Sequence, residues 1–314
     1  AGTESGIHRS TDQGKTWQPP EDLPAAYGNV VLDERSAHIL LLNPQKTGPH
    51  LYRSADSGRT WNRESISIKA NVMGHGVGEV PLSANCMETG ITLKNGKHQG
   101  RLIIAARVQP PRGDNAQEYW MYNYNTALYS DDQGKTWQVS DGIMSGTGEA
   151  ALAELSDGRI YYNPRSHISV DHRRRIAWSH NGGQRCGEWQ VSDDLLEIGE
   201  PSYFKYGTQP SYGCRAGLVR MPDGVVAADD VLLYSSPDWP GGWRYQMTVW
   251  VSMNGARTWP VKRLIDQGHS AYSSLAAAKD GTLYLLYEAG EKRLYDEAKV
   301  ASFNLAWLMG GENH

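Results

Sequence analysis

STDQGKTW, at residues 10–17, is the first copy of a motif that this chain carries five times. The other copies are SADSGRTW at 54–61, SDDQGKTW at 130–137, SMNGARTW at 252–259 and a looser SHNGGQRCGEW at 179–189. In a turn of this kind the Asp or Asn side chain accepts hydrogen bonds from its own backbone, and the Gly takes the positive φ that closes the turn. The motif therefore predicts a tight turn between two strands, with its Trp packed between neighbouring units.

The spacing of the motif predicts the architecture. Successive copies begin at Ser10, Ser54, Ser130, Ser179 and Ser252, which separates them by 44, 76, 49 and 73 residues. Units of this length fit four-stranded sheets that repeat radially, and the segment after the last copy supplies one more unit. We therefore predict an all-β chain that forms a six-bladed β-propeller as a single domain over residues 1–314.

The composition excludes several classes of protein. Lys plus Arg number 31 against 35 for Asp plus Glu, a net charge of −4, whereas a non-specific nucleic-acid binder needs a basic excess. No apolar stretch approaches the roughly 20 residues of a membrane span. The three cysteines allow at most one disulfide, and neither they nor the ten histidines have the spacing of a metal site. We expect no nucleic-acid partner, no membrane span, no metal and no other cofactor.

Two hairpins are predicted to bring reactive side chains together. The first has its turn at Asp157, so that Glu149 and Arg165, eight residues to either side, face each other at the open end. The second turns at Asp280 and pairs Tyr272 with Glu288 in the same way. Taken singly, a Glu opposite an Arg is usually a surface ion pair, and a Tyr that begins a strand usually packs. The two pairs together predict one site at the mouth of the propeller.

Several stretches resemble the sialidases, or neuraminidases, whose cellular type forms six-bladed propellers with this motif, the Asp box. They are GEAALAELSDGRIYYNPRS at 148–166, GCRAGLVR at 213–220, LYSSP at 233–237, TVWVS at 248–252 and AYSSLAAAKDGTLYLLYE at 271–288. They occur in the family's order, and the resemblance runs from about residue 8 to Leu308. It implies an exo-α-sialidase that acts on sialylated glycans or glycoconjugates with retention, and it favours a secreted or periplasmic location.

The resemblance also implies a role for each site residue. Tyr272 would be the nucleophile, and Glu149 the base that takes its phenolic proton. Arg165 and Arg244 would bind the substrate carboxylate, and Glu288 would orient an arginine of that cluster. Sialic acid carries its carboxylate on the anomeric carbon, so a neutral Tyr approaches it without the repulsion that an Asp or Glu nucleophile would meet.

The family pattern also has a first arginine and a catalytic Asp ahead of the first Asp box, and here they would fall before Ala1. We expect the N-terminal strands to be missing, and with them the acid/base. Glu4 is the remaining acidic residue there and a poor substitute for the Asp. Either about 40–60 residues are absent from an active enzyme, the alternative we favour, or the chain is a diverged propeller that binds without cleaving.

Other interpretations also stay open at this point. The chain could be a non-catalytic sialic-acid-binding propeller, or an Asp-box propeller acting on another acidic sugar. The basic run His172–Arg175 is interpreted as a solvated loop. Arg215 is interpreted as a packing residue or surface ion-pair partner, with a place in the pocket as the alternative.

Overall fold

The computed structural model describes residues 2–3, 6–22, 29–44, 48–71, 82–109, 122–169, 171–198, 212–228, 230–239, 244–291 and 295–311. Regular structure in these ranges is almost entirely β-strand. The helical segments that lie wholly within them are a 3-10 turn at Gly96–His98 and a short helix, α1, at Leu305–Leu308. No helix in these ranges is long and apolar enough to cross a bilayer.

The first half of the chain forms a short first unit and two blades. The first unit, residues 2–22, holds β1 (Gly2–Thr3) and β2 (Gly6–Ile7), which pair with each other. The second blade has the strand order of the sequence: β3 (Asn29–Asp33), β4 (His38–Asn43), β5 (His50–Ser54) and β6 (Asn62–Ser65). The strands of the third blade are β7 (Ser67–Lys69), β8 (Leu82–Ser83), β9 (Ile91–Thr92), β10 (Leu102–Val108), β11 (Tyr124–Ser130), β12 (Thr136–Val139) and β13 (Ile143–Ser145). They are arranged in the sheet order β7-β12-β11-β10-β8, and in addition β9 pairs with β10 and β13 pairs with β11.

The second half forms three more blades, two of which share a strand. The fourth blade is β14 (Thr147–Glu154), β15 (Ile160–Ser166), β16 (Arg173–Ser179) and β17 (Gly187–Leu196). The fifth is β18 (Gly217–Arg220), β19 (Leu232–Pro237), β20 (Tyr245–Ser252) and the N-terminal part of β21 (Val261–Ala277). The C-terminal part of β21 then begins the sixth blade, followed by β22 (Leu283–Gly290) and β23 (Glu297–Phe303). The predicted β-propeller is confirmed.

Each Asp box lies where it was predicted, in a turn after a strand: the first follows β2, and the other four begin at the last residue of β5, β11, β16 and β20. In the third blade Ser130 Oγ donates to Asp132 Oδ1 (2.8 Å) and accepts from the Gly134 N–H (2.9 Å). The Asp132 carboxylate in turn accepts from the N–H (2.8 Å) and the hydroxyl (2.6 Å) of Thr136. Gly134 has φ +88°, the conformation for which glycine was expected. In the fifth copy Ala256 takes this position at φ +63°.

Packing of the boxes shows that the repeat closes on itself. A Cβ at Gly134 would touch Leu40 and Leu51 of the preceding second blade, and one at Gly183 would touch Ile103 of the third. The first box follows the same rule across the two ends of the chain, because a Cβ at Gly14 would lie 3.9 Å from Tyr284 of the sixth blade. The first unit therefore occupies the place between the sixth and the second blades.

The packing predicted for the box tryptophans is only partly correct. Trp137 and Trp259 are buried between blades at 0% and 4% exposure, whereas Trp17 and Trp189 are 41% and 39% exposed. Trp189 ends the looser copy, whose additional residues move it onto the solvent-exposed strand β17. Trp17 belongs to the first unit, whose described strands are only two residues long and offer little surface to cover an indole ring.

Candidate active site

Both predicted hairpins form, and in the predicted register. In the fourth blade Ala150 pairs with Pro164 and Glu154 with Ile160. In the sixth blade Ser273 pairs with Tyr287 and Ala277 with Leu283. The hydrophobic pattern and the Asp-Gly turns are local signals, which is why they were enough to fix these pairings.

A register shift of the β-bulge kind interrupts each hairpin just where its reactive residue lies, and no sequence pattern predicted it. The register shifts between Thr147 and Ala150 in the fourth blade, and between Ser270 and Ser273 in the sixth. Glu149 and Tyr272 both lie inside these shifts. A bulge bends its strand and redirects the side chain that it carries. The two side chains thereby meet across different blades, and do not simply face their hairpin partners.

Tyr272, Glu149 and Arg165 form a closed hydrogen-bonded group. The Tyr272 hydroxyl donates to Glu149 Oε1 at 2.8 Å, and Arg165 Nη1 donates to Glu149 Oε2 at 3.1 Å. The same Arg165 nitrogen also donates to the Tyr272 oxygen at 3.0 Å. Glu149 and Arg165 are 6% and 4% exposed, whereas Tyr272 is only half-buried. A partly exposed tyrosine therefore contacts a buried ion pair through its hydroxyl group.

Arg244 joins this group from the fifth blade. Its guanidinium carbon lies 5.2 Å from the centre of the Tyr272 ring, and the residue is 6% exposed. It donates hydrogen bonds to the Tyr295 hydroxyl and to the Gly213 carbonyl. Two guanidinium groups, on Arg165 and Arg244, thus flank one phenol.

The side chain of Glu288 contacts the site through the backbone of Tyr272. Its Oε2 accepts a hydrogen bond from the Tyr272 N–H at 3.0 Å. That contact ties the bulge carrying Tyr272 to strand β22. The role implied for Glu288, orienting an arginine, stays a prediction.

Arg107 is a site residue that the sequence reasoning missed. It lies near the end of β10, and its Nη1 is 3.6 Å from Glu149 Oε1, the oxygen that accepts from Tyr272. The signal that could have found it is a single charge within the apolar run LIIAARV at 102–108. A charged residue in a buried strand generally has a charged partner, but the sequence does not say which.

The charges around the site keep Glu149 ionised and Tyr272 neutral. Burial by itself would raise the pKa of Glu149, but Arg165 and Arg107 outweigh it and hold that pKa well below its usual range. Burial raises the pKa of the Tyr272 phenol well above 10, and the negative charge of Glu149 raises it further. A neutral phenol therefore donates a hydrogen bond to an ionised carboxylate.

A second buried ion pair, Arg174 with Glu197, contacts the backbone next to Arg165. It also corrects the interpretation of the basic run. Arg174 is 1% exposed, pairs with Glu197 and donates to Asn163 Oδ1 at 2.6 Å. Glu197 Oε2 accepts from the N–H of Ser166, the residue after Arg165. The prediction of a solvated loop is wrong for Arg174, because residues of a strand alternate between its faces and 174 faces inward.

The remaining predictions concern metals, thiols and the acid. Among the residues of the described ranges, no group of three or more His, Cys, Asp or Glu side chains could hold a metal ion. The thiols of Cys86, Cys186 and Cys214 are free. Glu4, considered as a substitute acid, lies outside the described residues.

This arrangement combines a nucleophile with a site for an anion. The phenol of Tyr272 can lose its proton to Glu149 as it attacks an electrophilic carbon. Arg165 and Arg244 present planar donor groups beside that oxygen, which suits a carboxylate. A phenol beside two guanidinium groups has the chemistry to bind an anion and to react next to it.

Two family models match this chain. One, described as a BNR repeat-like domain, matches residues 38–285, and the other, a BNR/Asp-box repeat, matches residues 8–19. Among curated proteins, a sialidase of Micromonospora viridifaciens is 32% identical over 276 residues, which cover 85% of this chain and 37% of that protein. A sialidase of Bacteroides fragilis is 25% identical over 90% of this chain and 54% of its own length. The chain thus spans between about a third and just over half of these relatives.

Two solved structures with the same fold are named as a sialidase and as a trans-sialidase. A Hadza microbial sialidase superimposes with a TM-score of 0.70 at 23% identity, covering 96% of this chain and 59% of the other. The intramolecular trans-sialidase of Ruminococcus gnavus superimposes with a TM-score of 0.69 at 16% identity, covering 96% of this chain and 88% of the other. At these identities the likeness concerns the fold alone.

Proposed function

Because the chain belongs to the sialidase family of BNR/Asp-box propellers, we propose that it is a glycoside hydrolase that removes terminal α-linked sialic, or nonulosonic, acids from glycoconjugates. The single observation that carries this proposal is the 2.8 Å hydrogen bond from the Tyr272 phenol to the buried carboxylate of Glu149, with Arg165 bound to both. This group has the residue types that the chemistry of a carboxylated anomeric carbon needs.

In the proposed reaction, the substrate carboxylate is held by Arg165 and Arg244. The guanidinium carbon of Arg244 lies 5.2 Å from the centre of the Tyr272 ring, so a carboxylate bound to it would lie close to that ring. Positive charge on that side attracts the substrate anion. It also stabilises the phenol oxygen as its proton leaves.

The covalent step is a retaining displacement. The Tyr272 oxygen forms a bond to the anomeric carbon while its proton passes to Glu149 Oε1, and the bond to the leaving oxygen breaks. Water then attacks the same carbon from the face that the leaving group vacated and gives a proton to the conjugate base of the general acid, while Tyr272 departs and recovers its proton from Glu149. The leaving oxygen takes a proton from a general acid. Glu4 was considered for that role and lies outside the described residues.

A protein that only binds sialic acid accounts less well for this geometry. Binding needs the arginines but neither a Tyr nucleophile nor a base. Here a carboxylate that is 6% exposed accepts a hydrogen bond from the phenol, and Arg165 and Arg107 keep it ionised. A buried, ionised carboxylate costs solvation energy, so its position under a phenol favours a catalytic role.

The proposal is tested with two substrates, 4-methylumbelliferyl sialic acid and sialyllactose. The aryl group leaves with little protonation, so the first substrate reports on Tyr272 and Glu149 even when the acid is weak. We expect release of methylumbelliferone, with the α-anomer of free sialic acid as the first product by NMR. Binding of sialic acid without turnover of either substrate would favour the binding propeller. Turnover of a uronic-acid polymer, without turnover of either sialoside, would favour a propeller that acts on another acidic sugar.

The pH dependence of turnover tests whether Arg107 lowers the pKa of Glu149. The free enzyme is active while Glu149 is ionised, so activity falls as pH drops through the pKa of Glu149, which lies well below its usual range. Arg107→Gln removes one of the charges that depress this pKa. The acid limb of the kcat/KM profile is therefore expected to move to higher pH.

Arg159→Gln is the matched control for that measurement. Arg159 lies at the turn of the hairpin that carries Glu149 and pairs with Asp157, so the variant loses the same charge without touching the site. Its acid limb should coincide with that of the unmodified protein. An unchanged acid limb in Arg107→Gln would show that Arg107 does not act on the essential carboxylate.

A further inference from the structure

One segment of the third blade, residues 84–90, runs between the strands that carry Glu149 and Tyr272. Its Glu88 N–H donates to the Ala150 carbonyl at 3.0 Å, next to Glu149 in the fourth blade. The Ala150 N–H lies 3.2 Å from the sulfur of Met87 in the same segment. Glu88 itself is 3% exposed. Two contacts with the backbone of Ala150 thus hold the segment one residue away from Glu149.

The side chain of Glu88 binds the other catalytic strand. Its Oε1 accepts a hydrogen bond from the Ser274 hydroxyl at 2.5 Å. Ser274 follows Tyr272 by two residues on β21. One residue therefore contacts the Glu149 strand through its backbone and the Tyr272 strand through its carboxylate.

Arg215 stands opposite this carboxylate. Its Nη2 lies 3.8 Å from Glu88 Oε2, so Arg215 is an ion-pair partner, but of a buried carboxylate and not of a surface one. Burial raises the pKa of Glu88, while Arg215 and the Ser274 hydroxyl act against that increase. Both the charge and the hydrogen bond of Glu88 thus have partners near the site.

We propose that Glu88 is a positioning residue, which holds the Glu149 and Tyr272 strands at the separation their hydrogen bond requires. The two residues belong to the fourth and sixth blades, and no hairpin connects them. Their 2.8 Å contact depends on how those blades are spaced, and Glu88 bridges them one residue from Glu149 and two from Tyr272. A displacement of about 1 Å in a reacting pair can cost about 10²-fold in rate. The catalytic consequence rests on the proposed function.

Glu88→Ala tests this role, with Glu154→Ala as its matched control. Glu154 is also a buried carboxylate that joins two blades, because it accepts from the N–H groups of Lys94 (2.6 Å) and Asn95 (3.0 Å). It lies on the Glu149 strand but at the far end from the site. We expect both variants to lose similar stability, whereas only Glu88→Ala lowers kcat, by about 10- to 100-fold. KM should change little, because Arg165 and Arg244 remain.

Two milder variants keep the test decisive if Glu88→Ala does not fold. Glu88→Gln keeps an oxygen that can accept from Ser274 and should recover most of kcat. Ser274→Ala removes the same hydrogen bond from the other side and should lower kcat as Glu88→Ala does. A kcat close to that of the unmodified protein in Ser274→Ala, or an equal loss in Glu154→Ala, would overturn the proposal.

A readout without turnover separates this proposal from the proposed function. Hydrogen exchange is measured on peptides covering 147–154 and 270–277. Faster exchange in both peptides with Ser274→Ala and with Glu88→Ala, in the first peptide at its Glu149 end, supports the bridge even in a protein inactive on sialosides. Glu154→Ala should leave exchange at that end and in peptide 270–277 unchanged. Unchanged exchange in both peptides overturns it, whatever the activity.

Discussion

Replacing Tyr272 with phenylalanine is expected to lower kcat on 4-methylumbelliferyl sialic acid by on the order of 10³-fold or more. The substitution removes one oxygen, the atom that would bond to the anomeric carbon and that donates to Glu149 at 2.8 Å. The arginines that would hold the substrate carboxylate stay in place. Affinity for sialic acid, measured by calorimetry, should therefore fall only a few-fold.

Tyr287→Phe is the control for the loss of a phenol. Tyr287 is 5% exposed, lies in the same hairpin and donates to Asp266 at 2.9 Å, so the variant loses an equivalent hydroxyl away from Glu149. It should keep kcat close to that of the unmodified protein. Near-normal turnover in Tyr272→Phe would remove Tyr272 from the role of nucleophile.

Arg174→Met is expected to cause the largest loss of stability among the substitutions considered, about 3–5 kcal/mol in urea unfolding. The variant leaves the carboxylate of Glu197, 2% exposed, buried without its counter-charge. Glu197 also accepts from the Ser166 N–H, so the backbone beside Arg165 should loosen. Turnover should fall together with stability.

Arg175, the next residue of the same basic run, provides the comparison for the loss of stability. Arg175 pairs with Asp171 at 2.9 Å where the carboxylate is 43% exposed, and such pairs contribute about 0–1 kcal/mol. Arg175→Met should therefore change the free energy of unfolding by less than about 1 kcal/mol. Arg174→Met with Glu197→Gln should recover part of the loss, since the uncompensated charge is gone. Equal effects of Arg174→Met and Arg175→Met would contradict the burial of this pair.

Much of the fold could be predicted because its signals are local. The Asp boxes fix their own turns through hydrogen bonds between side chains and backbone within five residues, as in Ser130 and Asp132. Five repeats of such a unit then indicate a propeller without any knowledge of long-range contacts. That residues 1–314 form one domain stays a prediction, although the first box packs on Tyr284 of the sixth blade.

The candidate site could be predicted only in part. The residue types and the hairpin register identified Glu149, Arg165, Tyr272 and Glu288, and the resemblance added Arg244 and the role of each residue. The bulges that redirect Glu149 and Tyr272 were missed because a bulge leaves no mark in an alternating pattern. Arg107 and Glu88 were missed because their partners lie far away along the chain.

The sequence by itself therefore determined the repeating turns, the strand pairing within each hairpin and the kinds of groups at their open ends. These depend on neighbours a few residues apart, whose geometry the backbone restricts. The tertiary structure alone decided that Tyr272 donates to Glu149, that Arg107 joins them and that Arg174 is buried over Glu197. Each of those contacts joins residues that chain connectivity leaves independent, and only the packing of the blades around one another brings them within bonding distance.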